Sequence, residues 1–536
     1  MVLGTASHVG KSIITAGLGR ILANRGYRVA PFKAQNMSLN SAVTPDGLEI
    51  GRAQALQAEA CRIPCSVEMN PILLKPRTDA TSQVVVLGRV WAQTTAWEYH
   101  TRMVEELFPL VLESYHKLAS RHEVVLLEGA GSPAEINLRE HDIVNMRMAR
   151  AANASCLLVG DIDRGGVFAS LLGTLELLEP WERELVRGFI INKFRGDRAL
   201  LQPGITMIEQ RMGLPCAGVV PYLCDLGLEE EDSVALENKS WKSKSMEDES
   251  TARRIWGGGS GSDSPDRPLR IGVVALPHMS NFTDFDVLAA EPSVSLAYIR
   301  RPEETADADL IILPGSKQTL DDLEWLREGG FPTKLQEHLD RHRGLIGICG
   351  GFQMLGEMID DPDGIENDGV PTRCAGLGFL PVHTVLLTTK TTRPVTGVIL
   401  VETYCGQPWR AREFQGYEIH VGETRYLPEA RPLAKIAASG SKEESLDGAI
   451  SPDGRVLGSY VHGMFDDDPW RHHWIDQMRA ASGLAQASET IMVTAERDAR
   501  LDRLAGHLQN SLDMDMIQGW IGEPHDVEGA ARTQVP

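Results

Sequence analysis

Two stretches of the chain carry residues whose types and spacing could do chemistry, and the first is GTASHVGKS (Gly4–Ser12). A glycine loop that ends in Gly-Lys-Ser can cradle phosphates with its backbone N–H groups, with the lysine on the β/γ oxygens and the serine on Mg²⁺. The usual motif has one residue fewer than the five that lie here between Gly4 and Gly10. A glycine turn with a surface lysine is the alternative, so the surrounding pattern has to decide.

The second stretch is LIGICGGFQMLG (Leu345–Gly356), in which an apolar run ends at Cys349 and a glycine-rich helix start follows. This order is typical of a nucleophile elbow, and a helix N-terminus favours the reactive thiolate. A general base is also required, and His462 follows another strand-like run, Val456–Val461. A buried structural cysteine and a core histidine are the alternatives when each residue is taken alone.

The elements predicted around the first stretch place it at the edge of a sheet. Apolar, β-branched runs predict buried strands, and runs with helical periodicity lie between them. The predicted strands are Arg28–Phe32, Glu123–Leu127, Ser155–Val159 and Gly188–Ile191, and the predicted helices are Lys11–Arg25, Ile50–Cys61 and Ala96–Arg121. The alternation indicates a doubly wound parallel α/β sheet, whose carboxyl edge is where ligands bind.

Acidic residues at the same edge favour a nucleotide site. Glu128 ends a predicted strand in LLEGAG and could hold the same Mg²⁺ as Ser12. Capping of a neighbouring helix is the alternative for this carboxylate. Asp161 and Asp163 follow the next predicted strand, and only three residues precede Gly4, so a short first strand is expected.

The organisation of the chain changes after residue 228. EEED at 229–232 and the polar, glycine- and serine-rich residues 237–268 offer too little apolar surface to fold alone. Strand-like runs resume at Leu269–Leu276, Asp309–Leu313 and Gly344–Ile348. We therefore predict a nucleotide-binding domain over 1–232, a flexible polar linker over 233–267, a second doubly wound α/β domain over 268–515 and a carboxyl-terminal tail over 516–536.

The composition favours a cytoplasmic globular protein. The chain has 536 residues, 42% hydrophobic and 24% charged, with a formal net charge of -21. This charge argues against a nucleic-acid backbone or an anionic membrane as the main partner. No apolar run approaches the roughly 18 residues of a membrane span, and no export signal is visible. The eight cysteines are scattered without CxxC pairs, which favours a reducing cytoplasm.

The motifs of the amino-terminal half together resemble one branch of the P-loop enzymes. The five-residue loop, PFK at Pro31–Lys33 and LEGAGS at Leu127–Ser132 look like the dethiobiotin synthetase group, which phosphorylates a carboxylate or carbamate with ATP. Longer stretches resemble the cobyric acid synthase family. They are PFKAQNMSLNSAV (Pro31–Val43), EIGRAQALQAEA (Glu49–Ala60), MNPILLKP (Met69–Pro76), LEGAGSPAEINL (Leu127–Leu138), DIDRGGVFAS (Asp161–Ser170) and INKFRGD (Ile191–Asp197).

That resemblance implies a site for ATP and Mg²⁺ and a site for a corrin. Nucleotide contacts are expected from Gly4, Thr5, Gly10, Lys11, Ser12, Lys33 and Asn192, the last at the nucleotide base, and Mg²⁺ contacts from Ser12 and Glu128. Clustered amides suit a substrate rich in carboxylates and amides, and the candidates are Gln35, Asn36, Asn40, Gln54, Gln57 and Asn70. Each of these amides could equally be a capping or loop residue. His8 departs from the small or acidic residue often found there, at a position where phosphate contacts are mostly made by backbone.

The cysteine stretch resembles the class I glutamine amidotransferases. In their scheme the Cys349 thiolate attacks the glutamine amide, and His462 is the base and then the acid that protonates departing ammonia. ILPGSKQT resembles their oxyanion segment, with the backbone of Gly315 and Ser316 beside that of Gly350.

A third member of the cysteine–histidine site is not assigned from the sequence. Many class I members have a glutamate two residues after the histidine, and Met464 stands at that position here. Glu418 and His420, in the family-like GYEIHVG, are candidates for orienting or substrate roles, or form a structural cross-strand pair. His278 and Asp284 are interpreted as mainly structural.

The whole resemblance implies an amidoligase that uses ATP and L-glutamine. The family converts (adenosyl)cobyrinic acid a,c-diamide to cobyric acid by amidating the b, d, e and g carboxylates through acyl phosphates. One alternative is the cobyrinic acid a,c-diamide synthase, which shares the two-domain design but is disfavoured by NMSLNSAV and GYEIHVG. The other is a non-catalytic P-loop partner protein, against which the intact Lys11, Ser12, Glu128, Cys349 and His462 argue. The oligomeric state, the order of amidations and the path of ammonia are not indicated by the sequence.

Overall fold

The computed structural model describes residues 1–522 apart from 77–80, 100–102, 224–226, 228–255, 257–263, 368, 410–411 and 442. The chain forms two compact units. The first consists of the described residues of Met1–Met37, Ile50–Leu228 and Arg497–Pro536, and the second of those of Ser38–Glu49 and Glu229–Glu496. Most of the predicted linker over 233–267 lies outside the described residues.

The first unit is built around parallel strands, as predicted. Its central sheet has four parallel strands in the order Val2–Gly4, Cys156–Asp161, Val186–Phe194 and Cys216–Pro221. A second parallel pair, Val29–Phe32 and Val124–Leu127, is joined to it by a bridge between Val2 and Glu128. A separate sheet has the order Gln35–Met37, Ile72–Pro76, Thr81–Val86 and Arg89–Thr95.

Alternate residues of the central strands enter two separate hydrophobic cores. One core contains the helices Lys11–Asn24 and Val493–Ser511, and the other contains Val167–Leu177 and Arg198–Met212. Because both faces are covered, the strands are apolar throughout rather than alternating. The other helices of this unit are Arg52–Ala60, Ala96–Glu98, Val104–Ala119, Met146–Ala151, Pro180–Arg183 and Met514–Gly522.

The carboxyl-terminal helices pack in the first unit, which differs from the predicted boundaries of 268–515 and 516–536. Leu504 and Leu508 share a core with the helix Lys11–Asn24. A β-carbon on Gly17 would lie 2.3 Å from Cδ1 of Leu508, so the glycine makes room for the second helix. Helical periodicity predicts an apolar face but not the core that it joins, and burying one such leucine stabilises by roughly 2 kcal/mol.

The second unit is built on a six-stranded sheet, which has the order Val294–Ile299, Leu269–Val274, Leu310–Leu313, Gly344–Ile348, Val456–Ser459 and Ala449–Ile450. All neighbours pair in parallel except the last pair. A seven-stranded sheet contains Thr372–Ala375, Met358–Asp361, Val382–Ile399, Glu413–Tyr426, Val461–His462, Ala434–Ala438 and Glu444–Asp447. The described helices of the second unit are Asp286–Ala289, Thr319–Glu328, Phe331–Asp340, Gly350–Leu355 and Asp468–Ala481.

A segment from the amino-terminal half, Ser38–Glu49, packs in the second unit, so the compact units do not follow the single predicted domain over 1–232. The Ser41 backbone N–H donates to Oδ1 of Asn281 over 3.2 Å. The buried Glu49 carboxylate pairs with Lys390. These polar partners lie hundreds of residues away, where no local sequence pattern points to them.

The described helices include none that is long and apolar enough to cross a membrane.

Candidate active sites

The glycine loop joins the strand Val2–Gly4 to the helix that begins at Lys11, in the order that a phosphate site requires. Gly10 has a φ of 101°, a left-handed conformation that favours glycine. The ammonium group of Lys11 is buried and donates to the carbonyl oxygens of Ala6 (2.9 Å) and Gly131 (3.0 Å). The cation is therefore held over the loop, where phosphate oxygens can replace carbonyl oxygens as its partners.

Glu128 collects donors from three parts of the first unit. Its carboxylate accepts hydrogen bonds from the Ser12 hydroxyl (2.8 Å), the Lys33 ammonium (2.9 Å) and the Gln57 side-chain amide. Glu128 and Lys33 are both nearly fully buried, so removing either one would leave an uncompensated buried charge. A carboxylate and a hydroxyl side by side are oxygen ligands that suit Mg²⁺.

Asn192 lies directly against the loop. Its side-chain amide donates to the Val9 carbonyl over 2.8 Å, and a β-carbon on Gly10 would lie 2.2 Å from its Nδ2. The next residue, Lys193, donates to the His8 carbonyl and pairs with Asp161. This side of the loop is thus fixed by the ends of two neighbouring strands. Asn192, predicted to contact the nucleotide base, contacts the loop itself.

Three of the predicted substrate amides meet around one glycine. A β-carbon on Gly51 would lie 2.6 Å from Oε1 of Gln54, 2.9 Å from Nδ2 of Asn36 and 3.0 Å from Oδ1 of Asn70. Asn36 donates to Gln54 over 3.0 Å, while the Nδ2 of Asn70 is engaged by two backbone carbonyls. The buried Nε2 of Gln54 has no hydrogen-bond partner in the part of the chain that the structure describes.

The other three amides are described by other contacts or by the unit to which they belong. Gln35 accepts from the Tyr99 hydroxyl, and Gln57 donates to Glu128. Asn40 belongs to the segment that packs in the second unit. The contacts around Gly51 thus directly join three of the six candidates, Asn36, Gln54 and Asn70.

Cys349 occupies the strand-to-helix turn that the sequence predicts. It follows the strand Gly344–Ile348 and caps the helix Gly350–Leu355, with φ 52° and ψ -109°. Such a conformation is strained for a residue with a β-carbon and is typical of functional sites. Its Sγ lies 3.8 Å from the Ile419 carbonyl oxygen. The turn aims the thiol out of the sheet at the start of a helix.

His462 is held by an aspartate. Its Nδ1 lies 2.6 Å from Oδ2 of Asp284, and both side chains are almost fully buried. The ring of Tyr417 stacks on the imidazole at a centroid distance of 5.6 Å. Its Nε2 has no hydrogen-bond partner among the described residues, which leaves this atom to the thiol and its substrate.

Charge decides the protonation state of His462. Burial alone lowers its pKa, but the charges of Asp284 and Cys349 outweigh burial and raise the pKa to about 10. The imidazole therefore stays protonated at neutral pH and stabilises a neighbouring thiolate.

The expected oxyanion segment, Gly315–Ser316, lies beside His462 and beside the helix start that follows Cys349. Gly315–Ser316 pairs in antiparallel fashion with Met279–Ser280. A β-carbon on Gly350 would lie 2.8 Å from the Ser316 backbone nitrogen, and one on Gly315 would lie 3.3 Å from Cε1 of His462. Backbone N–H groups at this position can stabilise the negative charge of a tetrahedral intermediate.

Glu418 and His420 form a buried pair on the strand beside the thiol. Glu418 lies 3.4 Å from Nε2 of His420 and also pairs with Arg393. Burial raises the pKa of Glu418, but these two partners hold it below its usual value. His420 stacks on Tyr460 at 3.8 Å. The pair is thus a buried hydrogen-bonded network next to the site.

Comparison with known proteins assigns both halves of the chain to known domain families. Residues 1–234 match the CobQ/CobB/MinD/ParA nucleotide binding domain, and residues 270–470 match the CobB/CobQ-like glutamine amidotransferase domain. The cobyric acid synthase of Moorella thermoacetica is 47% identical over 97% of each chain, and that of Nitratidesulfovibrio vulgaris is 46% identical over 97% of each. The chain belongs to the cobyric acid synthase family. It is a glutamine-dependent amidoligase with a P-loop nucleotide-binding domain.

Asp284 is the residue of this family member that sequence reasoning misinterpreted. The sequence pattern suggests a mainly structural role, yet the carboxylate contacts the imidazole of His462. The two residues are separated by 178 positions, and no fixed spacing relates them. The available signal was an acid set between Phe282 and Phe285 in an apolar run, which implies a buried and therefore partnered carboxylate.

We expect Asp284→Asn to lower kcat for glutamine hydrolysis by about 10²- to 10⁴-fold, because the imidazolium loses its partner. Removing this charge lowers the pKa of His462, so the imidazolium is lost at a lower pH than in the unmodified enzyme. The measurement is the rate of Cys349 alkylation by the anionic reagent iodoacetate against pH. This rate falls at high pH once the imidazolium that attracts the reagent is lost, and the fall should come at a lower pH in the variant. Asp286→Asn, two residues away, is the control. An unchanged pH profile in Asp284→Asn would contradict this role.

Proposed function

We propose that the enzyme amidates the b, d, e and g carboxylates of (adenosyl)cobyrinic acid a,c-diamide, with ATP and L-glutamine, and so forms cobyric acid. One observation carries this proposal: this family member has two groups of residues suited to the two half-reactions. They are Lys11, Ser12 and Glu128 at the glycine loop, and Cys349, His462 and Asp284 at the thiol. We assign the reaction to the cytoplasm, where thiols stay reduced.

The thiol site releases ammonia. The Cys349 thiolate attacks the side-chain amide carbon of glutamine, and the backbone N–H groups of Gly315, Ser316 and Gly350 stabilise the oxyanion. The carbon–nitrogen bond then breaks, and His462 protonates the departing amine through Nε2. Water hydrolyses the glutamyl thioester to glutamate and restores the thiol.

The phosphate site activates the corrin. A carboxylate oxygen of the substrate attacks the γ-phosphorus of ATP, ADP leaves, and Lys11 stabilises the charge on the transferring group. Ser12 and Glu128 would hold Mg²⁺, which would supply positive charge to the site. Ammonia then attacks the acyl carbon, and inorganic phosphate leaves as the amide forms.

The amides around Gly51 suit a substrate that changes during the reaction. A side-chain amide can donate to a carboxylate and can also accept from a newly formed amide. The unpartnered Nε2 of Gln54 is a buried donor available for such a contact. We assign Asn36 and Gln54 to the corrin, whereas the backbone contacts of Asn70 support a structural role.

Mass spectrometry of the corrin tests this function. After incubation with a,c-diamide, ATP, Mg²⁺ and glutamine, four successive small mass decreases are expected, one for each OH replaced by NH₂. With cobyrinic acid as substrate, two decreases that stop at the a,c-diamide would instead indicate the related a,c-diamide synthase. No change with either substrate would favour a non-catalytic P-loop protein.

A further inference from the structure

We propose that Asp322 is a positioning residue for the oxyanion segment of the glutaminase site. Asp322 lies in the first turn of the helix Thr319–Glu328, and its side chain is fully buried. It does not belong to the cysteine–histidine–aspartate set. The inference rests on the proposed function and concerns what holds Gly315–Ser316 in place.

One carboxylate ties together both strands of a short ribbon. Oδ2 of Asp322 accepts from the Ser316 hydroxyl over 2.6 Å. Oδ1 accepts from the backbone N–H of His278 over 3.2 Å and lies 2.9 Å from its ring Nδ1. Ser316 belongs to one strand of the ribbon, and His278 immediately precedes the other, Met279–Ser280. Asp322 therefore supports the separation of the two strands in addition to their backbone hydrogen bond, which the Lys317 N–H donates to the His278 carbonyl over 3.0 Å.

The contacts of the ribbon show why this separation matters. Its backbone packs against Gly350, at the start of the helix behind Cys349, and against Cε1 of His462. A movement of a few tenths of an ångström would displace the oxyanion donors from the nucleophile, and such donors act only when their geometry is preorganised.

The hydroxyl of Ser316 is engaged by this network both as a donor and as an acceptor. It donates to Asp322 and accepts from the Gln318 backbone N–H over 3.0 Å. The side chain therefore orients its own residue rather than the substrate, and the backbone N–H is the group offered to an oxyanion.

His278 is the second partner of the buried Asp322 carboxylate. The hydrogen bond to Asp322 is the main cause that raises the pKa of His278, and the charges of Asp321 and Glu366 add to it. A buried carboxylate is costly unless it is paired and hydrogen-bonded, so this arrangement implies a specific use for an acid at position 322.

The test compares two reactions of the same thiol in the full-length enzyme. Glutamine hydrolysis passes through an oxyanion, whereas alkylation of Cys349 by iodoacetamide displaces iodide at a saturated carbon and forms none. We expect Asp322→Ala to lower kcat for glutamine hydrolysis by about 10- to 10³-fold with little change in KM. Alkylation and ammonia-driven amidation should stay within about two-fold.

Matched variants make the comparison specific. Asp321→Ala removes an exposed carboxylate from the same helical turn, whose charge only adds to the main effect of Asp322 on His278, and should stay close to the unmodified enzyme. Asp322→Asn keeps an acceptor for Ser316 and should retain more activity than Asp322→Ala. Ser316→Ala should lower kcat in the same direction. The double variant Ser316→Ala/Asp322→Ala should lose no more than the more impaired single variant, because the contact between the two side chains can be lost only once.

Equal loss of alkylation and hydrolysis in both Asp322→Ala and Asp322→Asn would overturn the inference and leave Asp322 a merely structural residue. Activity in Asp322→Ala equal to that in Asp321→Ala would also overturn it. Failure of the unmodified enzyme to hydrolyse glutamine would instead overturn the proposed function itself.

Discussion

Cys349→Ala is expected to abolish amidation driven by glutamine and to leave amidation driven by ammonium salts intact. The thiolate is the nucleophile proposed for ammonia release, and removing such a group typically lowers kcat by about 10³-fold or more. The phosphate site lies in a different compact unit and keeps all its residues. The measurement is the rate of corrin amide formation with each nitrogen source, followed by mass spectrometry.

Cys374→Ala is the matched control, since Cys374 is a free cysteine of the same unit but lies outside the elbow. It should leave both rates unchanged. Loss of the ammonia-driven reaction in Cys349→Ala, in a variant that still binds ATP, would mean that the two sites do not divide the chemistry as proposed.

The elements that could be predicted are those fixed by local sequence. The strand Gly344–Ile348 is found with its predicted bounds, and the helix at Lys11 ends at Asn24, one residue before the predicted end. Uninterrupted apolar runs followed by glycine specify a buried strand and a sharp turn without reference to the rest of the chain. The positions of Lys11 and Cys349 therefore follow from the sequence.

The features that could not be predicted depend on partners far along the chain. Asp284 contacts His462, Ser41 contacts Asn281, and Leu508 packs beside Gly17. In each case the residue type signals that a partner is needed, but only the topology supplies it. The same reasoning explains Asp322, whose burial follows from its helix and whose use follows from the ribbon that it joins.

Lys11→Ala is expected to stop amidation from both nitrogen sources. The lysine is the first residue of the loop helix, and its ammonium lies over the loop on the Ala6 and Gly131 carbonyls. Alanine removes the charge that would stabilise the transferring phosphoryl group, which should lower both rates by about 10²- to 10³-fold or more.

Two comparisons separate this effect from misfolding. Alkylation of Cys349 should keep its normal rate in Lys11→Ala, because the thiol site lies in the other unit. Lys11→Arg restores the charge but not the compact ammonium geometry, so it should recover only part of the rate. Added ammonia bypasses the thiol but still requires an activated carboxylate. Full ammonia-driven product formation in Lys11→Ala would therefore show that the glycine loop does not take part in the reaction, whether or not the glutaminase site is active.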